Sequence, residues 1–152
     1  MSESFYQSLW VKIKECMQNQ QKLMFYRDDD DYYHYLQYIP KSEISDTGEF
    51  SWGKRLHYEF NGLKNSVEVC FHCETSKQFR EELDLLFQND EKLKNIKGKG
   101  LASLKWCRLS IPESKTPEEI FGFASKLANE MIAFEARYGQ KILELIQKVE
   151  EN

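Results

Sequence analysis

Two stretches of the chain alternate polar with apolar residues in a way that gathers chemistry on one side. Arg55, His57 and Glu59 interleave with Leu56, Tyr58 and Phe60, and Glu68, Cys70 and His72 interleave with Val67, Val69 and Phe71. Successive side chains of a strand point to opposite faces, so the polar set shares one face of a strand pair. Arg55, His57, Glu68 and His72, near Trp52 and the Tyr33/Tyr35 pair, can hold a nucleobase by stacking and charge-assisted hydrogen bonds. The same residues also suit an ordinary solvated face with cross-strand ion pairs. An enzymatic reading would have to rest on His57, His72 and Glu68.

Phosphate contact has its best candidates further on. Lys92, Lys94, Lys97, Lys99, Lys105 and Arg108 follow one another with no acidic residue between Lys92 and Arg108, and Gly98, Gly100 and Trp106 lie among them. The competing reading is a solvated loop after a helix C-terminus, where cations are favoured in any case. Gly98-Lys99-Gly100 lacks the spacing of a Walker loop.

Cys70-Phe-His-Cys73 invites a zinc reading, but alternation puts Cys70 and His72 on one face and Cys73 on the other. Cys16 and Cys107 lack a paired spacing that would complete a tetrahedral set. No metal and no cofactor is expected. Asp28, Asp29, Asp30 and Asp31 form an acidic turn, either simply solvated or a charged recognition patch; a hard-metal loop would interleave its carboxylates with Gly and turn residues. There is no nucleophile elbow, His-Glu-x-x-His or dinucleotide fingerprint, and the strand beginning Glu68-Val-Cys lacks the lysine that a PD-(D/E)XK nuclease needs.

The 152 residues are 41% hydrophobic, 30% charged and 14% aromatic, with seven Gly and three Pro, which excludes collagen-like, low-complexity and wholly disordered chains. With 21 basic and 25 acidic residues the net charge is −4, so any nucleic-acid contact has to be local. The acidic N-terminus, the lack of a long apolar run and the four sparse cysteines predict a cytosolic chain with reduced thiols and no membrane contact.

The elements that must position these residues are legible from their periodicity. Phe5, Leu9, Ile13 and Met17 recur at steps of four and predict a helix from about Ser4 to Leu23. Residues 32–39 have strand composition and end at Pro40. Asn61-Gly62 between the two alternating runs predicts a two-residue hairpin turn, with Phe60 opposite Leu63, Leu56 opposite Val67, Glu59 opposite Lys64 and Arg55 opposite Glu68. Ser76 is the N-cap of a helix carrying Phe79, Leu83, Leu86 and Phe87.

Leu101 to Ile111 reads as a strand whose inward set switches part way, as at a bulge. Thr116-Pro117-Glu118-Glu119 opens a helix that keeps its apolar spacing to Val149, with Gly139 its one weak point. The order α-β-β-β-α-β-α predicts one α+β domain over 1–152, with an antiparallel sheet of about four strands packed on helices. The closing helix would be about 50 Å long. Either it bends near Gly139, or Ile142, Leu145, Ile146 and Val149 project toward a partner, a second copy included.

Trp10 in the opening helix, the strand Val67 to Phe71, the helix around Phe79 to Phe87, the Leu104-Lys105-Trp106 strand and the long closing helix together resemble an uncharacterised accessory domain. That domain accompanies PD-(D/E)XK restriction-type nucleases in bacteria and archaea. It usually runs a Glu-rich helix directly into its Leu-x-Trp strand, and the basic insert 89–100 departs from this. The resemblance implies an accessory or target-recognition role in a defence system, and does not imply cleavage activity.

Two functional expectations follow. One is a non-enzymatic recognition module that contacts nucleic acid through Lys92, Lys94, Lys97, Lys99, Lys105, Trp106 and Arg108, with Arg55 and His57. The other is a protein-interaction module, such as an inhibitor or regulator, using Asp28 to Asp31 and the terminal helix.

Overall fold

The computed structural model describes residues 3–29, 34–41, 48–91, 93, 103–110 and 116–150. Its elements run α1 (Glu3–Met17), β1 (Leu23–Asp28), β2 (Tyr35–Pro40), β3 (Leu56–Gly62), β4 (Ser66–Cys73), α2 (Lys77–Phe87), β5 (Ser103–Ser110) and α3 (Pro117–Glu150). The class is α+β as predicted, with one strand more. That strand is β1, which occupies residues assigned from periodicity to the end of the first helix and the turn after it. The helix stops at Met17, where its apolar stripe stops. Gln20 then stitches the turn: its amide donates to the Met17 and Leu23 carbonyls at 2.7 and 2.8 Å and accepts from Leu23 N at 2.7 Å.

The strands form one antiparallel sheet in the order β1-β2-β3-β4-β5. The β3–β4 hairpin does not turn at Asn61-Gly62. Leu63 N donates to Ser66 O at 2.8 Å, so Lys64 and Asn65 make the turn, and Leu56 faces Cys73, Tyr58 faces Phe71 and Phe60 faces Val69. The displacement along β4 is even, which keeps Leu56, Tyr58 and Phe60 on the same side as Val67, Val69 and Phe71. Alternation therefore satisfies both registers, and only the charge pairings chosen from sequence (Glu59 with Lys64, Arg55 with Glu68) are lost. Gly62 serves a close approach instead of a turn. A Cβ there would lie 2.8 Å from Cε1 of Tyr6, and Gly62 N donates to His34 O at 2.6 Å. In β5 the predicted bulge falls at Trp106: Val69 pairs with Cys107 while Cys70 pairs with Lys105.

All three helices pack on one face of the sheet. Tyr6 of α1 lies against Gly62, and Phe134 of α3 meets Tyr58 edge-on at 5.8 Å and Phe71 at 6.2 Å. Phe87 of α2 meets Phe134 at 5.7 Å, and Phe79 meets Phe50. Each such ring contributes about 1.5–3 kcal/mol on burial. Ser76 caps α2 by accepting from Phe79 N, and Thr116 and Glu119 cap α3 reciprocally, both as predicted.

The closing helix runs unbroken for 34 residues. The expectation that its apolar tail projects is corrected. Ile142 and Ile146 are buried in the core, and Leu145 and Val149 are half-buried against it, because α1 packs along α3. Gly139 does not interrupt the helix; it leaves room for Glu135, whose carboxylate a Cβ at 139 would overlap and which accepts the buried Tyr58 hydroxyl. Among the described residues, no helix is long and apolar enough to cross a membrane.

Candidate functional site

The face of the sheet opposite the helices carries a polar array. Register sets Arg27, Gln37, Glu59, Cys70 and Lys105 in one row across the five strands, and Tyr35, Asn61, Glu68 and Arg108 in another. The first row is wired by side chains: Arg27 Nε donates to Gln37 Oε1 at 2.9 Å, and Gln37 Nε2 donates to Glu59 Oε1 at 2.8 Å. In the second, the Arg108 guanidinium donates to Glu68 Oε1 at 2.8 and 3.1 Å. Glu68 is 6% exposed against 63% for Arg108, so the carboxylate is sunk and the arginine reaches outward over it.

His57 and His72 are direct partners across β3 and β4, and their rings stack at 4.6 Å with an interplanar angle of 19°. His57 is 4% exposed. Its Nδ1 lies 2.9 Å from the Gly53 carbonyl, an acceptor only, so Nδ1 carries a proton. Its Nε2 is 3.6 Å from Glu59, an ion-pair distance. His72 Nε2 reaches Glu74 at 3.2 Å. Burial would push the Glu59 carboxyl up, but the polar contacts of His57 and Gln37, with the two imidazoles nearby, outweigh it and hold the group below the ordinary carboxylate range. At the β1 edge the exposed Arg27 guanidinium sits 5.6 Å from the ring of Tyr26 and 5.7 Å from that of Tyr35.

The residues singled out from sequence fare unequally. His57, His72 and Glu68 do share this face, as alternation required, while Cys73 lies buried on the helix side with Sγ 3.2 Å from the Thr75 hydroxyl. Arg55 is exposed just beyond the end of β3 and faces Glu74, not Glu68. Lys92, Lys94, Lys97 and Lys99 lie outside the described residues, as do the side chains of Lys105 and Trp106, whose backbone belongs to β5.

The acidic turn is engaged within the chain. Asp28 accepts from Lys14 Nζ at 2.8 Å, and Asp29 accepts the backbone N–H groups of His34 and Tyr35 at 2.7 to 3.0 Å; Asp30 and Asp31 lie outside the described residues. Arg27 and Gln37 were not foreseen, because without β1 as a strand nothing set Arg27 beside Gln37. The signal available was the alternation Leu23, Phe25, Arg27, too short to stand out beside an adjacent helix pattern.

No family model matches the chain, and no curated protein and no solved structure matches it either.

Proposed function

We propose that the chain is a recognition module, acting by binding and not by catalysis, that takes single-stranded nucleic acid on the sheet face opposite its helices. In keeping with the accessory domain it resembles, it would serve target recognition in a prokaryotic or phage defence system. The observation that carries this reading is the placement of Arg27, exposed and stacked with Tyr26 and Tyr35 at one edge of the face, and of Arg108 reaching out at the other. Four inter-strand spacings separate those edges, about 19 Å. Stacking side chains flanked by guanidinium groups are the means by which single strands are held with little sequence preference. The Lys92–Lys99 run precedes β5, the edge strand that carries Arg108, in the sequence and would add phosphate contacts. Binding is favoured over catalysis because buried His57 and half-buried Glu59 are occupied by Gly53, Gln37 and each other, and buried Glu68 by Arg108.

Fluorescence anisotropy with a labelled mixed-sequence oligonucleotide tests this. Single strand should bind more tightly than duplex, with affinity falling on a log–log salt slope of about 0.7 per phosphate contact. Lys97→Glu with Lys99→Glu should abolish binding, and Arg27→Ala should weaken it and lower the slope by roughly one contact. Absence of binding at low salt, or binding indifferent to both variants, overturns the reading.

A further inference from the structure

Beyond the last β3–β4 pair, Leu56 with Cys73, the chain closes the sheet end through a bond from Glu74 N to Arg55 O at 2.7 Å. There a cleft of about 590 Å³ opens between the strand ends and the start of α2, with Glu49, Arg55, Glu74, Thr75, Ser76 and Arg80 among its lining. Nothing in the sheet-face reading uses it.

Arg80 is the feature that asks for an explanation. Its Nε is buried from solvent and has no hydrogen-bond partner among the described residues. Buried polar groups nearly always have partners, and a cationic donor is among the costliest to leave without one. Arg80 also lines the cleft, so an anion entering it would offset the charge of that half-buried guanidinium, and Arg55, exposed, can meet the same group. The first turn of α2 adds no carboxylate of its own to repel such a guest. Glu49 and Glu74 do line the cleft, both on its exposed side, and Glu74 is held 3.2 Å from His72. That contact ties the cleft to the polar face, because His72 is stacked on His57.

We infer that this cleft binds a phosphate monoester, and that on the proposed nucleic-acid reading, on which this source rests, the monoester is the terminal phosphate of the strand lying on the sheet face. A monoester carries roughly −1.5 to −2 at neutral pH and three acceptor oxygens, so it gains from both guanidinium groups where an internal diester has a single charge to offer. The other source of the same chemistry is a small phosphorylated molecule.

The experiment compares one oligonucleotide in three forms, 5′-phosphorylated, 3′-phosphorylated and unphosphorylated, on the full chain, beside thermal melting with inorganic phosphate and with a nucleoside monophosphate. One phosphorylated form should bind about tenfold more tightly than the unphosphorylated strand, the size expected of charge-assisted bonds to a guanidinium. That preference should vanish in Arg80→Gln and shrink in Arg55→Gln, and it should grow in Glu49→Gln, a change of opposite sign. If Arg80→Gln does not fold, the Arg55 and Glu49 variants, both exposed positions, carry the same test. Equal binding of all three strands with no melting shift from phosphate overturns the cleft inference and leaves the sheet-face reading standing. Strands that fail to bind, together with an Arg80-dependent melting shift from the nucleoside monophosphate, would uphold the phosphate site and overturn the strand as its source.

Discussion

The centres of the two faces of this sheet are closed by different means. On the helix side, Tyr58, Phe60, Phe71 and Val69 are sealed by rings and aliphatic groups from all three helices, an attraction without direction. On the other side, Gln37, His57, Glu68 and Cys70 are nearly as inaccessible, and the polar ones among them meet named partners at hydrogen-bond or ion-pair distance. The apolar face tolerates any even displacement of β3 along β4, whereas the polar face does not. Only the observed register sets His57 on His72, and only the β4–β5 register sets Glu68 beside Arg108. The apolar face supplies most of the stability, and the polar face adds its directional contacts to what specifies the pairing.

The largest break in that comparison comes from the apolar side. Phe71→Ala should cost about 3–5 kcal/mol, read as a fall in the denaturation midpoint with an unchanged m-value. On the polar side, Arg108→Ala leaves Glu68 sunk without its guanidinium. Discounted for the exposure of the arginine, the expected loss is about 1–3 kcal/mol. Adding Glu68→Gln should recover much of it, a coupling that a double-mutant cycle measures. If the single variant is neutral, the polar face does not specify pairing through this contact.

The smaller effects are pH effects. Glu59 is held below its ordinary value of 4.5, so it contributes stability above that pH and loses it as pH falls through the depressed folded value; Glu59→Gln should flatten the acid limb of the stability curve there. Tyr138, which donates to Asp90, runs the other way. Burial and that bond push it from 10.0 up to about 12, so its contribution is complete below about pH 10 and is lost as pH rises toward 12. Tyr138→Phe should flatten only part of the alkaline limb, because Tyr58 and Tyr38 are also raised by burial.

What periodicity could read, it read. The helix stripes, the two caps, the α+β class and the bulge in β5 all follow from spacing of three to four or of two, rules that act within a few residues. The turn at Lys64-Asn65 escaped because Asn61-Gly62 is the stronger local turn signal, and the contacts that overrule it, Tyr6 on Gly62 and His34 O on its N–H, come from distant segments. The covering of Ile142 and Ile146 escaped for the same reason, since no local pattern says which helix lies beside which. For the polar face, alternation named His57, His72 and Glu68 as neighbours but misassigned the partner of Glu68, which arrives from a strand forty residues later.

Gly139 carries a consequence for anyone who would strengthen this protein. Exchanging a mid-helix glycine for alanine ordinarily gains about 1 kcal/mol. Here the added methyl would drive the Glu135 carboxylate off the Tyr58 hydroxyl and strand that donor in the middle of the sheet, at a cost of about 1–3 kcal/mol. One of the two glycines of α3 is thus where the helix and the central strand are fastened together, and a chain altered for helix propensity alone would be weakened at that joint.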